Sequence, residues 1–98
     1  MVRWDVYSVR GGGAAVIAQA DSLGGLPTRL VVPLLDLADV PGLHPRVVPR
    51  VSLGDAAFVA YAPGLTAIGV GDLERHLGSA SHHAEAILSA IDMALTGV

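Results

Sequence analysis

Cysteine and lysine are both absent from this 98-residue chain, and aromatic residues are scarce. Without cysteine the chain can form neither a disulfide framework nor a thiolate zinc site, which fits a reducing cytoplasm. The six basic residues are all arginines, the formal net charge is -3, and phenylalanine, tryptophan and tyrosine make up only 4% of the chain. Direct binding to nucleic acid favours a basic face with stacking rings, so we expect none here.

Long apolar runs and a secretory leader are also missing. Every unbroken apolar run is far shorter than the roughly 18 residues that a membrane-spanning helix needs. The first residues do not join a basic start to an apolar stretch and a small-residue cleavage site. We therefore expect a soluble, cytoplasmic protein.

The chain does have a large apolar share for its size. Hydrophobic residues make up 52% of it and charged residues 15%, and the mean hydropathy is +0.57. Its length allows one domain, spanning residues 1–98. A small domain leaves much of its surface exposed, so a composition this apolar favours a homodimer over a monomer with an apolar surface.

Alternating or compact apolar segments typical of β-strands recur along the first two thirds of the chain. In the first segment, Trp4, Val6 and Ser8 fall on one face. Turn residues at Gly54-Asp55 and Pro63-Gly64 separate the later segments. The predicted strands cover residues 3–9, 14–20, 30–35, 46–53, 56–62 and 65–70.

Glycine and proline mark the connections between these strands. Three glycines at residues 11–13 permit a tight reversal and predict a hairpin. Residues 23–28 contain two glycines and a proline and are predicted to be a mobile loop. Pro33 removes a ladder donor, so we expect its strand to be bulged or at an edge there. Residues 37–40 are predicted to form one short helical turn.

The last segment of the chain has a helical period. Ala84, Ile87, Leu88, Ile91 and Leu95 recur at helical spacing, and a polar stripe lies opposite them. The stripe consists of Glu85, Ser89, Asp92 and Thr96. A cap from Ser79 or Ser81 and a stop at Gly97 would bound the helix. Strands followed by one amphipathic helix predict a mainly β, α+β domain: an SH3-like bent antiparallel barrel with the helix packed on it.

The order of these elements and the residues within them resemble the CcdB toxin family over essentially the whole chain. The stretches that carry the resemblance are WDVYS at 4–8, LVVPL at 30–34, VSLGD at 51–55 and AIDMALTGV at 90–98. Each stretch is a common pattern by itself. Their shared order, spacing and chain ends make the combination specific.

The resemblance implies the toxin of a plasmid- or chromosome-borne toxin–antitoxin pair. Such toxins bind the DNA gyrase A subunit and stabilise its cleaved-DNA complex, and an antitoxin with a flexible segment neutralises the toxin dimer. The resemblance implies no enzymatic activity, no catalytic residue, no cofactor and no metal. By position, the residues that contact gyrase are Asp92, Leu95, Thr96, Gly97 and Val98, with Ser22 and Leu23 as further candidates.

Thr96 departs from the family pattern, which has tryptophan at this position. A buried interface tryptophan covers roughly 150 to 250 Å² and is a favoured hot-spot residue. We therefore expect weak gyrase poisoning. An inert homologue that still binds an antitoxin is an alternative that Thr96 favours.

A ribonuclease toxin of the MazF or Kid type is the enzymatic alternative, because it shares the barrel architecture. RNA cleavage needs groups that move protons and stabilise phosphate charge. Arg29, Arg46, Arg50 and His44 are the available groups, and they show no family-like arrangement.

A histidine-rich segment raises the question of a metal site. His82, His83 and Glu85 lie together in sequence, with His76 nearby. Adjacent histidines at a helix start are expected to project in different directions, whereas zinc needs three or four converging ligands. The sequence therefore predicts capping or solvent exposure for these side chains.

Overall fold

A computed structural model describes residues 1–40 and 42–97 of the chain. Within these residues the chain forms seven strands and one α-helix. The strands are β1 (Asp5–Val9), β2 (Ala14–Ile17), β3 (Thr28–Leu35), β4 (Arg50–Leu53), β5 (Ala56–Ala60), β6 (Thr66–Gly69) and β7 (Leu73–Ser79), and the helix is α1 (Ala84–Thr96). Short 3-10 turns lie at Asp21–Leu23, Leu37–Asp39, Ala62–Gly64, Val70–Asp72 and Ser81–His83.

All strands belong to one antiparallel sheet in the order β4-β5-β3-β2-β1-β7, and β6 also pairs with β3. The sheet curls into a half-barrel with the helix at its C-terminal end. This confirms the predicted α+β, SH3-like architecture. Among the residues that the structure describes, no helix is long and apolar enough to cross a membrane.

The central strand, β3, pairs along both of its edges. One edge pairs with β2, while the other pairs first with β6 through residues 28–31 and then with β5 through Leu34 and Leu35. Pro33 falls in the gap between these two partners, where no ladder donor is required. Its carbonyl accepts a hydrogen bond from the Tyr61 N–H at 2.9 Å. β3 as a whole is not an edge strand, but its ladder on this side is interrupted at Pro33, which agrees with the expectation of a bulge or a local edge at this residue.

Both faces of the sheet are covered by apolar residues. On one face, Val6, Val16 and Val32 join a core cluster that includes helix residues Ile87 and Ile91. On the other face, Ile17 and Val31 pack with Leu73. Alternate residues of one strand therefore enter different clusters, which fixes the register of β1, β2 and β3.

The helix buries a narrow stripe. Ile87, Ala90 and Ile91 are its buried residues, whereas Leu88 is 41% exposed. Gly97 adopts a left-handed conformation with φ 75° and its N–H bonds to the Met93 carbonyl at 2.8 Å, so the predicted stop is confirmed. The predicted serine cap was wrong: the N-cap is His83, without a side-chain capping bond, and the Ser79 hydroxyl accepts from the Ser81 N–H instead.

Strand boundaries also differ from prediction, and one strand was not predicted. The first strand begins at Asp5 rather than Arg3, because Trp4 has φ 74° and breaks the extended backbone. The fourth begins at Arg50, after a turn that contains Pro45 and Pro49. The sequence did not indicate β7, whose middle residues are all exposed and which is held by main-chain pairing to β1.

The two neighbouring helix residues Ile87 and Leu88 provide a test of this packing. Ile87 is 0% exposed, so Ile87→Ala should lower the free energy of unfolding by about 2 to 5 kcal/mol. Leu88→Ala, on the exposed side, should cost no more than about 0.5 to 1 kcal/mol. Urea unfolding of both variants measures the difference. Equal losses in the free energy of unfolding would show that the helix packs on the sheet through a different face.

Candidate binding surface at the end of the helix

The last turn of α1 projects an apolar residue into solvent. The last buried residue of the helix is Ile91, and Asp92, Leu95 and Thr96 after it are all exposed. Leu95 is 71% exposed, the highest value among the large apolar residues of the described chain. These residues and Gly97 form the surface that we call the helix-end surface. Val98, the remaining predicted contact residue at this end, lies outside the described residues.

Hydrogen bonds within the helix fix the shape of the helix-end surface. The Thr96 hydroxyl donates to the Asp92 carbonyl at 2.6 Å, one helical turn back. This bond turns the hydroxyl toward its own backbone. Thr96 therefore presents mainly its methyl group to a partner, and the left-handed Gly97 ends the helix in a defined direction.

Ser22 and Leu23 lie on a separate element, the 3-10 turn Asp21–Leu23 between β2 and β3. Both side chains are exposed. The turn is tied to the N-terminal segment, because the Arg3 N–H donates to Asp21 Oδ1 at 2.7 Å. The structure thus brings the four described helix-end candidates together on one turn and places the other two on the β2–β3 connection.

Residues 23–28, predicted to be a mobile loop, are anchored by two buried side chains. Arg29 is 9% exposed, and its guanidinium donates to the carbonyls of Gly24, Leu26 and Thr28 at 2.7, 2.6 and 2.9 Å. Gln19 is 5% exposed; its amide nitrogen donates to the Leu23 carbonyl at 2.9 Å, and its oxygen accepts from the Leu30 N–H at 3.1 Å. Four carbonyls of the loop, those of Leu23, Gly24, Leu26 and Thr28, therefore accept hydrogen bonds from these two side chains. No local sequence pattern marks this arrangement.

The adjacent histidines converge, contrary to expectation. The Nε2 atoms of His82 and His83 lie 3.4 and 3.3 Å from the Ser52 hydroxyl oxygen, and the ring centroids are 4.1 Å apart. The Ser52 N–H also donates to His83 Nε2 at 3.2 Å. Burial, and secondarily the neighbouring His82, lower the pKa of His83 below its ordinary value. His83 is therefore neutral at pH 7, with Nε2 as an acceptor.

Comparison of the sequence with family models gives a match to CcdB, described as CcdB protein, over residues 3–97. The match includes every described candidate residue. The chain belongs to the CcdB family. The family is that of the CcdB toxins of toxin–antitoxin pairs. Comparison with curated proteins gives no match.

Solved structures with the same fold as this CcdB family member include bacterial toxins. An endoribonuclease from a mycobacterial species matches with TM-score 0.79 and 18% identity, covering 97% of this chain and 90% of that one. An endoribonuclease in complex with its cognate antitoxin, also mycobacterial, gives 0.82 and 18%, covering 97% and 94%. Mycobacterium tuberculosis toxin MazF-mt6 gives 0.74 and 20%, covering 93% of each chain. At these identities the similarity establishes the fold.

Replacing Arg29 tests whether this side chain holds the β2–β3 connection. Arg29→Met keeps much of the aliphatic length but removes every donor, so the three carbonyls lose their side-chain partner. We expect a loss of about 1 to 3 kcal/mol in stability. Hydrogen exchange at the amides of Gly24, Leu26 and Leu30 should accelerate. Arg75→Met, at an exposed arginine on β7, is the matched control, and unchanged exchange in Arg29→Met would contradict the anchoring role.

Proposed function

We propose that this CcdB family member binds the DNA gyrase A subunit through its helix-end surface and stabilises the cleaved-DNA complex of gyrase. The observation that carries the proposal is the exposed apolar turn formed by Leu95, Thr96 and Gly97, in a chain whose family match extends to Gly97. Leu95 is 71% exposed beside the Gly97 cap, so its apolar side chain is available for contact with a partner.

The proposed mechanism is differential affinity, without a reacting group. A ligand shifts a conformational equilibrium only by as much as it binds one state better than the other. Contacts from the helix end to the cleaved state of gyrase would raise the population of that state. The Gly97 cap and the Thr96 hydroxyl bond hold the surface in one shape before binding, which lowers the entropy that binding must overcome.

We expect Thr96 to weaken the binding of the helix-end surface to gyrase. The family has tryptophan at this position, and Thr96 has its hydroxyl already bonded to the Asp92 carbonyl. Losing a hot-spot tryptophan typically costs at least about 2 kcal/mol. In a symmetric dimer that contacts gyrase twice, the loss would be about 4 kcal/mol, or about 10³-fold in affinity.

A gyrase cleavage assay with Thr96→Trp tests the proposal. The unaltered chain should trap cleaved DNA weakly, and Thr96→Trp should trap it at a concentration about 10²- to 10³-fold lower. The variant Thr96→Val keeps the size of the residue and removes only the hydroxyl, so it should behave like the unaltered chain. Absence of trapping by Thr96→Trp would reject gyrase as the target, and strong trapping by the unaltered chain would show that the tryptophan is not needed.

The second candidate function is a non-toxic homologue that binds an antitoxin and competes for it. Thr96 favours this function, because the helix-end surface then has little affinity for gyrase. One of the structurally similar proteins is bound to its cognate antitoxin, which supports an antitoxin partner here as well. Growth of a host that expresses the chain, alone or together with a candidate antitoxin, separates an active toxin from an inert one.

Ribonuclease activity is described for two of the structural neighbours, which share the fold of this chain at 18% identity. The arginine best protected from solvent, Arg29, already donates to three carbonyls and is not free to bind a phosphate. His44 Nδ1 accepts from the Arg46 N–H at 3.1 Å. We therefore propose a non-enzymatic protein. Metal-independent cleavage of RNA by the purified chain would contradict that.

The proposed active species is a homodimer. Exposed leucines on several elements support it, including Leu30 on β3 and Leu77 on β7 at 42% and 41% exposure. Light scattering after gel filtration should give about twice the mass of the chain. A monomer mass for the unaltered chain would reject the dimer.

A further inference from the structure

We propose that the start of α1 is held to the edge of the sheet by a contact that acid releases, in which His83 accepts the main-chain N–H of Ser52 only while its imidazole is uncharged. The contact lies at an edge, because β4 is the end strand of the sheet order and its described pairing is with β5. It is separate from the helix-end surface, which terminates α1. The proposal does not depend on gyrase or antitoxin binding.

The contact joins a side chain at the start of the helix to the main chain of the edge strand. The Ser52 N–H donates to His83 Nε2 at 3.2 Å, so the lone pair of this nitrogen is the acceptor. The proton of the neutral ring is then on Nδ1. His83 is the N-cap of α1, and its side chain makes no capping hydrogen bond with the helix. Since the two residues are 31 positions apart, the contact links distant parts of the chain.

A proton on His83 Nε2 removes this acceptor. The charged ring carries an N–H on both nitrogens, so Nε2 then faces the Ser52 N–H as a second donor. The charged ring can still donate to the Ser52 hydroxyl oxygen, 3.3 Å away, but the main-chain N–H loses its partner. His82 Nε2 lies 3.4 Å from the same hydroxyl, which can either donate or accept. Protonation of His82 is therefore compatible with the contact, and His83 is the residue that responds to pH.

The surroundings of His83 disfavour its charged form. Burial, and secondarily the neighbouring His82, whose ring centroid is 4.1 Å away, lower the pKa of His83 below its ordinary value. The N-terminal position on α1 acts in the same direction, because the helix dipole repels a cation there. A neutral His83 is thus the form that the fold favours.

The elements packed around this contact carry charges of both signs. Glu85, in the first turn of α1, lines the same groove as the two histidines and attracts a charged ring. Arg50 lies two residues before Ser52 on the same exposed side of β4 and repels one. Strand β5 (Ala56–Ala60) contains no titratable residue. The pKa of His83 is lowered despite Glu85. The other titratable residues of the adjoining strands and turn are Asp55, Glu74, Arg75 and His76.

The contact therefore holds at neutral pH and opens in acid. A histidine whose pKa is lower in the folded chain takes up its proton more readily in the unfolded chain, so its contribution to stability is complete above about pH 6.5 and declines below that value. Opening frees the first turn of α1 from β4 and leaves the Ser52 N–H unpaired. An unpaired N–H on an edge strand is available to another strand.

Amide hydrogen exchange and NMR of the full chain between about pH 7.5 and about pH 5 test the proposal. We expect protection of the Ser52 amide, corrected for the intrinsic exchange rate, to fall by about fivefold or more toward low pH, which is the effect of losing one typical hydrogen bond. The ring nitrogen shifts of His83 should show the Nδ1–H tautomer at neutral pH. The Ser52 amide shift should titrate with the same midpoint as the His83 ring, below about 6.5.

The variants His83→Gln and His82→Gln form a matched pair. A glutamine side-chain oxygen can accept the Ser52 N–H and does not titrate, so His83→Gln should hold Ser52 protection constant to within about twofold over this range. His82→Gln should retain the fall in protection. Melting temperatures at neutral pH verify that both variants are folded.

Four outcomes would overturn the proposal. These are an Nε2–H tautomer of His83 at neutral pH, pH-independent protection of Ser52 in the unaltered chain, an equal fall in His83→Gln, and a Ser52 amide that follows the titration of His82 instead. The tautomer and the midpoints are measured on the unaltered chain. They therefore decide the question even if His83→Gln does not fold.

Discussion

The pairing of β3 along both of its edges is the constraint on which the rest of the fold depends. One edge of this strand pairs with β6 and then with β5, so the sheet must curl around Pro33. The curl brings the turn Ala62–Gly64 against β3 and beneath α1. Gly64 permits the close approach, since a Cβ there would lie 2.8 Å from the Tyr61 ring and 3.1 Å from Pro33. The helix then packs on the turn Ala62–Gly64 through Ile87 and Ile91. The last turn of the helix remains exposed to solvent.

Elements with a local signature could be predicted from the sequence. The glycines at 11–13 all have positive φ in the β1–β2 hairpin, and the helical period of Ile87 and Ile91 marks the buried stripe. β7 lacks such a signature, because Glu74, Arg75 and His76 are consecutive and all exposed. Its position is set by main-chain pairing with β1, about 70 residues earlier in sequence. Single-sequence periodicity cannot detect a strand of this kind.

The features of the candidate surfaces also differ in whether they could be predicted from the sequence. Exposure of Asp92 and Thr96 follows from the polar side of the helix that they occupy. Leu95 belongs to the apolar stripe instead, and it is exposed because the buried part of that stripe ends at Ile91. The contacts of Arg29 with three carbonyls and of Ser52 with two histidines arise only in the folded chain. Side-chain bonds to main-chain carbonyls have no sequence period. Adjacent histidines converge because a 3-10 turn, rather than a regular helix, contains them.

The guanidinium of Arg29 gives the β2–β3 connection a cooperative character. One cation satisfies three carbonyls of a single loop, and releasing one of them leaves a charged group buried with fewer acceptors. Partly opened states are therefore disfavoured, and the loop is expected to release as a unit. Ser22 and Leu23, at the start of this loop, are expected to change their exposure together with it.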